Sequence, residues 1–396
     1  MRILVLTPTF LPALGGAELV ILQVFRRLAQ RHAVMVLTPH LPHDLLDQSG
    51  TKAFDKYINF DVMRYHDRYT LMKIRGHKIS LGLIPPFSIS AVSAINSATK
   101  AFHPDIINVH YVMPTGLAGI IAGRIHKVPV IMTYNGRDVP GPGIPLFWKY
   151  WHRLVGSLCS DMTYVSNYCR EVIYGKQAGR GHVIYNGVDD PVAVVPDQVA
   201  DLKARWGIKN PNDRILFCLT RLSRLKRVDI LIKSMPLIRA RQPNVRLLIG
   251  GQGDDRPRLE KLAAAAGVSD RVIFTGFIPP EELPIYFRAA DLFVFHSTYE
   301  TFGMVLAEAM NYGKAIVTVA NTAIKEIITD GETGVLVPDM NPPALAHAIL
   351  NLLENQLLRK ILAKNAQDKA RRRFSWDAIA ACYEKVFQSN ALRTFS

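Results

Sequence analysis

The densest cluster of residues able to do chemistry lies in the run HSTYETFGMVLAEAMNYGKAIV, which begins at His296. Glu300 precedes a Phe302-Gly303 pair that opens a helix, Glu308 lies inside that helix, and Gly313 closes it. A helix that opens just after a strand points unpaired amides outward and favours an anion there, while Gly303 lets a ligand approach the backbone closely. Glu300 and Glu308 are then spaced to reach different parts of one extended ligand, such as a sugar and a ribose with phosphate between them. The plainer alternative is that Glu300 caps the helix and Glu308 sits on a solvated face, since acidic residues are common near helix starts.

A second cluster is TRLSRLKRVD, which follows the apolar run 215–219. Arg221 and Lys226 stand just past a strand, where two cations can neutralise a diphosphate that becomes a leaving group. Four basic residues in seven positions also fit a solvated basic loop. Weaker signals are Gly15-Gly16 after the first strand, His110 at the end of 106–109, and Asn186-Gly187-Val188-Asp189. The Gly-Gly pair suits a phosphate-binding turn but lacks the GxGxxG of dinucleotide sites and the GKS/T of a P-loop. A lone histidine is more often structural than catalytic, and the strand-end position brings the functional reading toward even with the structural one.

Elements that position such residues are visible as short apolar, β-branched runs at 3–6, 34–37, 106–109, 130–133, 215–219, 245–249, 272–274, 292–295 and 315–319, each followed by a helical stretch. Strand-helix alternation implies parallel sheets, whose ligands bind beyond the carboxyl ends of the strands. The aperiodic segment 189–198, with Pro191 and Pro196, reads as a linker dividing the chain nearly in half. Two α/β domains are therefore expected, at 1–190 and 199–375, with a final helix in 376–396 whose apolar positions are Ile379, Cys382, Val386 and Phe387. Two such domains facing each other make one deep cleft.

With 396 residues, 49% of them hydrophobic and 20% charged, the chain has enough apolar material for two cores without disulfides or metal. Four scattered cysteines form no CxxC pair, which argues against a zinc site and fits a reducing cytoplasm. The N-terminal apolar run is too short for a signal peptide, and 81–95 is interrupted by Pro85 and Pro86, so any membrane contact is peripheral. A net charge of +15 points to anionic partners. Nucleic acid is disfavoured because no recognisable module is present and the basic residues are spread over both halves. A nicotinamide oxidoreductase is disfavoured by the missing dinucleotide fingerprint. A nucleotide-sugar epimerase shares the phosphate-binding features and is the competing enzyme class.

Taken in order, the Gly15-Gly16 loop, the His110 strand end, Ser166, Asn186 through Asp189, Arg221 with Lys226, Gly251-Gln252-Gly253, and Glu300 through Glu308 resemble the family 4 retaining glycosyltransferases of the GT-B fold. The likeness spans essentially the whole chain and is more specific in its second half. It implies two Rossmann-like domains with parallel sheets facing across a cleft, an N-terminal acceptor-binding domain and a C-terminal nucleotide-sugar-binding domain. It also implies that Arg221 and Lys226 hold the donor diphosphate and that Glu308 holds the ribose. Glu300, with the amides of Phe302 and Gly303, would serve the sugar and phosphate, with Gly15, Gly16, Gly251 and Gly253 contributing to donor binding. His110 would orient a hydroxyl of the transferred sugar. The reaction would run on the front face, with no metal or cofactor, and no DxD motif is present. The donor base, UDP or GDP, is open, and the acceptor is a sugar, polysaccharide or lipid-linked hydroxyl.

Two departures from the family pattern stand out. Thr322-Ala323-Ile324-Lys325-Glu326 occupies the place of a Gly-Gly pair before Glu, and Tyr134-Asn135-Gly136-Arg137-Asp138 lacks the histidine many members carry before glycine. Finally, 52–78 holds seven basic residues against three acidic ones, with aromatics interleaved. Arg64 and Arg68 in that segment are expected to meet an acceptor or an anionic membrane surface, with Phe147 through Arg153 as a second anchor unless its rings are core.

Overall fold

The computed structural model describes residues 1–12, 15–40, 55, 58–66, 72–74, 77–79, 89–113, 115–136, 139, 141, 146–175, 180–208, 210 and 212–393. The chain divides into two compact units, one formed by residues 1–186 with 376–396 and the other by 187–375.

The first unit is built on strands β1 (Arg2–Leu6), β2 (Ala33–Pro39), β3 (Asp61–Tyr65), β6 (Ile106–His110), β7 (Val130–Tyr134), β8 (Asp161–Tyr164) and β9 (His182–Val183), with a separate antiparallel pair β4 (Met72–Ile74) and β5 (His77–Ile79). The sheet order is β3-β2-β1-β6-β7-β8-β9, parallel throughout. β6 and β7 are buried at every residue, as expected of strands covered on both faces. The order reverses between β1 and β6, which makes that pair the switch point where an open α/β sheet binds ligands.

Helix Trp376–Arg393 packs in this unit against helix Gly16–Leu28: Phe387 stacks on Phe25 at 6.2 Å, His32 meets Glu384 at 2.6 Å, and Asn390 donates to Asp161 at 3.1 Å. Ile379, Val386 and Phe387 are buried as their spacing implies, but Cys382 is exposed and Tyr383 takes its place on the packed face.

The second unit carries β10 (Arg214–Leu219), β11 (Val245–Gly250), β12 (Val272–Gly276), β13 (Leu292–Phe295), β14 (Ala315–Val319) and β15 (Val335–Val337), in the order β12-β11-β10-β13-β14-β15, again parallel. Helices Val228–Arg241 and Pro342–Glu354 bury Leu231, Met235, Leu345 and Ile349 in the same core as Leu216, Leu247 and Val317. Its switch point lies between β10 and β13. Gly187 through Asp189 is fastened to this unit, with Val188 N–H donating to the Phe374 carbonyl at 2.7 Å and Asn311 to the Asp189 carbonyl at 2.8 Å. Helix Pro196–Arg205 begins inside the segment read as a linker. All nine apolar runs named above lie in strands, giving two Rossmann-like α/β units.

Candidate functional site

In the second unit, the loops after β10 and β13 supply most of the candidate residues. The loop after β10 turns through a 3₁₀ segment at Arg224–Lys226, and the Leu225 carbonyl accepts from the Thr298 amide at 3.0 Å and from the Thr298 hydroxyl at 3.1 Å. That clamp brings the two loops together, and the Lys226 ammonium donates to the Glu300 carboxylate. Lys226 also lies 5.9 Å from the Phe295 ring centre. Glu300 is therefore an ion-pair partner of Lys226, and helix Met304–Asn311 has no side-chain cap.

The four basic residues of this loop have different fates. Arg227 makes a two-pronged fork on Asp229 at 2.9 Å for each bond, and Arg224 lies 3.3 Å from Asp255, which is forked by Arg258. Burial alone raises the Asp229 pKa, but the Arg227 fork, helped by Arg258 and Lys233, holds it below the ordinary value. Arg221 is exposed. Three of the four cations thus sit beside carboxylates, and Arg221 is exposed, as is Arg224 despite its contact with Asp255.

Gly251 and Gly253 set the backbone that carries Arg221. Their φ angles are +117° and +157°, and a Cβ would stand 2.0 Å from the Thr220 carbonyl oxygen at the first and 2.1 Å from that of Leu222 at the second. The Leu222 amide donates to the Gln252 carbonyl at 2.8 Å. These glycines let two loop backbones touch, a different reason for glycine from direct approach of a ligand.

Gly303, at φ +98°, turns the chain into helix Met304–Asn311, while the Phe302 ring is buried edge-on against Phe374 at 5.6 Å. Phe302 thus anchors the turn in the core. Glu308 is partly buried rather than solvated. Loss of water pushes its carboxyl up to about 7, with the charge of Asp189 adding to the rise. Thr322, in the place of the family's glycine pair, adopts φ +41°, and its hydroxyl accepts from the Glu300 amide at 3.3 Å.

The first unit presents different chemistry at its switch point. His110 ends β6, 1% exposed, with Phe25 edge-on at 5.9 Å. The Asn135 amide donates to His110 Nδ1 at 2.9 Å, and Nε2 is buried with no hydrogen-bond partner. Burial holds its pKa down at about 3, so the ring is neutral at physiological pH. Gly15 precedes helix Gly16–Leu28 in an extended conformation open to any residue, and a Cβ at Gly16 would meet nothing within 4 Å. Glu18 in the first turn is 3% exposed and accepts from the Thr9 hydroxyl at 2.5 Å. Ser166 caps helix Asn167–Tyr174, its hydroxyl accepting from the Cys169 amide at 3.1 Å.

Arg64 requires a correction. Its side chain is 4% exposed, forks Asp55 at 2.8 Å and donates to the Leu11 carbonyl at 2.6 Å, so it ties strand β3 to neighbouring loops and is not presented to a membrane or acceptor. Arg68, with Lys52, Lys56 and Arg75 of the basic segment 52–78, lies outside the described residues. Sequence reading gave no role to Asn135, Asp229 or Asp255. The pattern Arg227-Val228-Asp229 and the i, i+3 pair Asp255–Arg258 are local hints of the last two, whereas the contacts of Asn135 with His110 and of Asp255 with Arg224 arise only through folding.

Comparison with known proteins fits this geometry. Residues 14–191 match the model of Glycosyltransferase Family 4, and residues 201–369 that of Glycosyl transferases group 1. The chain is 30% identical over 305 residues to the D-inositol 3-phosphate glycosyltransferase of Xylanimonas cellulosilytica, covering 72% of this chain and 71% of that protein. It is 26% identical over 407 residues to the alpha-monoglucosyldiacylglycerol synthase of Streptococcus pneumoniae, covering 96% and 86%. Three other relatives are matched over 58%, 49% and 65% of their own length. In fold, the chain is similar to the solved Anabaena HepE in complex with UDP, with TM-score 0.78, 23% identity, and coverage of 98% of this chain and 100% of that one. With both halves matched by the family's models and a relative 30% identical over more than two thirds of both chains, the chain belongs to glycosyltransferase family 4.

Proposed function

We propose that this protein is a retaining glycosyltransferase that moves a sugar from a nucleoside diphosphate sugar to an acceptor hydroxyl. The observation that carries the reading is the arrangement after β10, where Arg221 is held outward by the glycine-backed loop and Lys226 is fixed by Glu300. Two cations there match the charge that builds on a departing diphosphate. Glu308 accepts from the ribose hydroxyls, and the neutral His110 offers its Nε2–H to a sugar hydroxyl and does not take up a proton. In the transfer step the bond from the anomeric carbon to the diphosphate breaks, the acceptor oxygen bonds to the same face, and its proton passes to the leaving phosphate. Protein cations fill the role a metal serves in other transferases, so activity is expected to persist in excess EDTA.

The acceptor is proposed to be a lipid-linked or glycan hydroxyl, a reading supported by the relative named for diacylglycerol glucosylation. Contact with an anionic membrane draws support from helix Leu146–Ser157, in which Phe147, Tyr150 and Leu154 are 61%, 63% and 53% exposed at helical spacing. That helix carries Lys149 and Arg153 and no acidic residue. Among the described residues, no helix is long and apolar enough to cross a membrane.

The test is a thermal-shift screen of UDP-sugars, which the solved neighbour suggests first, and then GDP-sugars, followed by transfer assays with the anomeric configuration of the product read by NMR. A ligand at about a hundred times its Kd raises stability by about 2.7 kcal/mol. Inverted product, or a strict requirement for divalent metal, overturns the mechanism. Donor isomerised without any acceptor favours the epimerase. Sedimentation with anionic vesicles at low salt tests the membrane contact, which is refuted if the protein stays in the supernatant.

A further inference from the structure

The first unit has a cavity away from its switch point. It measures about 390 Å³ and opens where helix Gly116–His126 ends and β7 and β8 begin. Strand β7, five residues long, carries the sheet from there to the edge where α/β sheets take substrates, a span of about 13 Å. Ile120, Val128 and Leu158 give the cavity aliphatic walls, and Arg124, Lys127 and Ser160 line its polar side. Both cations are exposed, and among the described residues neither side chain has an ion pair or a hydrogen bond. His126 between them is engaged by Asn96 at 2.7 Å. The Ser160 hydroxyl accepts from the Val130 amide at 3.1 Å, which leaves its own hydrogen for a ligand. Asn390, reaching the wall from the last helix, is held by Asp161 at 3.1 Å and by the Val386 carbonyl at 2.9 Å.

Two features select the chemistry of the occupant. Basic side chains suit the last turn of any helix. Lys127, however, stands at φ +56°, in the left-handed position where glycine usually ends a helix. A lysine is kept there against the preference of the backbone, and it lines the cavity. The second feature is helix Leu146–Ser157, along which Phe147, Tyr150 and Leu154 are exposed. Leu158 stands four residues past Leu154, its amide bonded to the Val155 carbonyl at 3.2 Å, so the apolar stripe continues into the cavity wall. A free phosphate uses the cations alone, and a neutral chain uses the stripe alone. A phosphate that carries a chain uses both.

We propose that the cavity binds one anionic phospholipid, with its phosphate at Arg124, Lys127 and Ser160 and an acyl chain along Leu158 and Leu154. This deepens the membrane contact proposed above and rests on it for the choice of ligand. The bound lipid is an anchor at the edge of the sheet remote from the switch point, and is neither donor nor acceptor.

The experiment titrates the whole protein by calorimetry with dihexanoyl phosphatidylglycerol below its micelle concentration, and in parallel with dihexanoyl phosphatidylcholine and inorganic phosphate. Saturable one-to-one binding of the anionic lipid is expected, about tenfold or more tighter than either comparison. Arg124→Glu should weaken it about tenfold or more by removing a charge-assisted bond. Lys127→Gly, which suits the backbone, should weaken it about fivefold with no loss of melting temperature. Lys100→Glu, the same change of charge at another exposed site of this unit, should bind as the wild type does. Absence of saturable binding overturns the proposal. So does phosphatidylcholine or phosphate binding as tightly as phosphatidylglycerol, or wild-type binding by Arg124→Glu and Lys127→Gly. Because the short-chain lipid forms no bilayer, the two readings separate. Wild type that binds it yet stays in the supernatant with anionic vesicles refutes the membrane contact alone, and wild type that sediments with vesicles yet ignores it refutes the cavity site alone.

Discussion

The switch point of the first unit and that of the second are built from opposite electrostatic materials. Beside β6, a neutral histidine is locked by a neutral amide, and burial excludes charge altogether. Beside β10 and β13, charge is gathered and then apportioned, with Asp229, Asp255 and Glu300 next to Arg227, Arg224 and Lys226 while Arg221 faces outward. The contrast follows the chemistry proposed for each. A hydroxyl needs direction, which a rigid neutral donor supplies without attracting counterions. A diphosphate needs neutralisation, and cations already held by carboxylates are poised without reorganising.

The comparison breaks most readily at the cations. Arg221→Ala and Lys226→Ala are each expected to lower kcat/KM roughly ten- to a hundred-fold, since charge-assisted bonds contribute about 1.5–3 kcal/mol. Thermal melting should move little for Arg221, which is exposed. Wild-type turnover in both variants would remove the charged half of the contrast.

Next comes the loop that presents Arg221. Gly253→Ala places a Cβ about where the Leu222 carbonyl oxygen sits, 2.1 Å from the ideal position. The backbone must shift, with strain of about 1–3 kcal/mol, so both melting temperature and turnover should fall. A variant that melts normally and turns over normally shows that the loop contact does not present the arginine.

The third test separates the units by pH. Glu308 is raised from 4.5 to about 7 by burial. Ribose hydroxyls donate to the ionised form, so affinity for the free nucleoside diphosphate should rise with pH, by about tenfold per unit below the pKa, and level off above it. For folding the sign is opposite: the folded state keeps a proton that the unfolded chain releases above 4.5, so this stabilisation is present at low pH and lost as pH rises through about 7. Glu308→Gln should flatten both dependences, measured by calorimetry and by melting. His110, held at about 3, should add no limb of its own in that range.

The smallest effect is expected at Gly16, where a Cβ meets nothing. Gly16→Ala should raise stability by about 0.4–1 kcal/mol through the unfolded state. A fall in turnover alongside that gain would mean that a ligand uses the space.

Periodicity and local composition determined much of this molecule. The runs at 3–6 and 292–295 are continuous apolar stretches because their strands are buried on both faces, and that pattern is written locally. Glycines at 251, 253 and 303 were visible as punctuation, and all three adopt positive φ. What each residue touches was not legible. Four cations in seven positions look alike along a chain; Asp229 is a near neighbour of Arg227, but only the fold brings Asp255 to Arg224 and Glu300 to Lys226. Arg64 read as a surface charge until packing brought Asp55 and the Leu11 carbonyl to it. His110 and Asn135 are 25 residues apart, and their bond exists because β6 and β7 are neighbours in the sheet. Secondary structure depends on near neighbours in sequence, whereas burial, pairing and the pKa values that follow depend on which distant groups share a low-dielectric site, and the tertiary structure alone decides that.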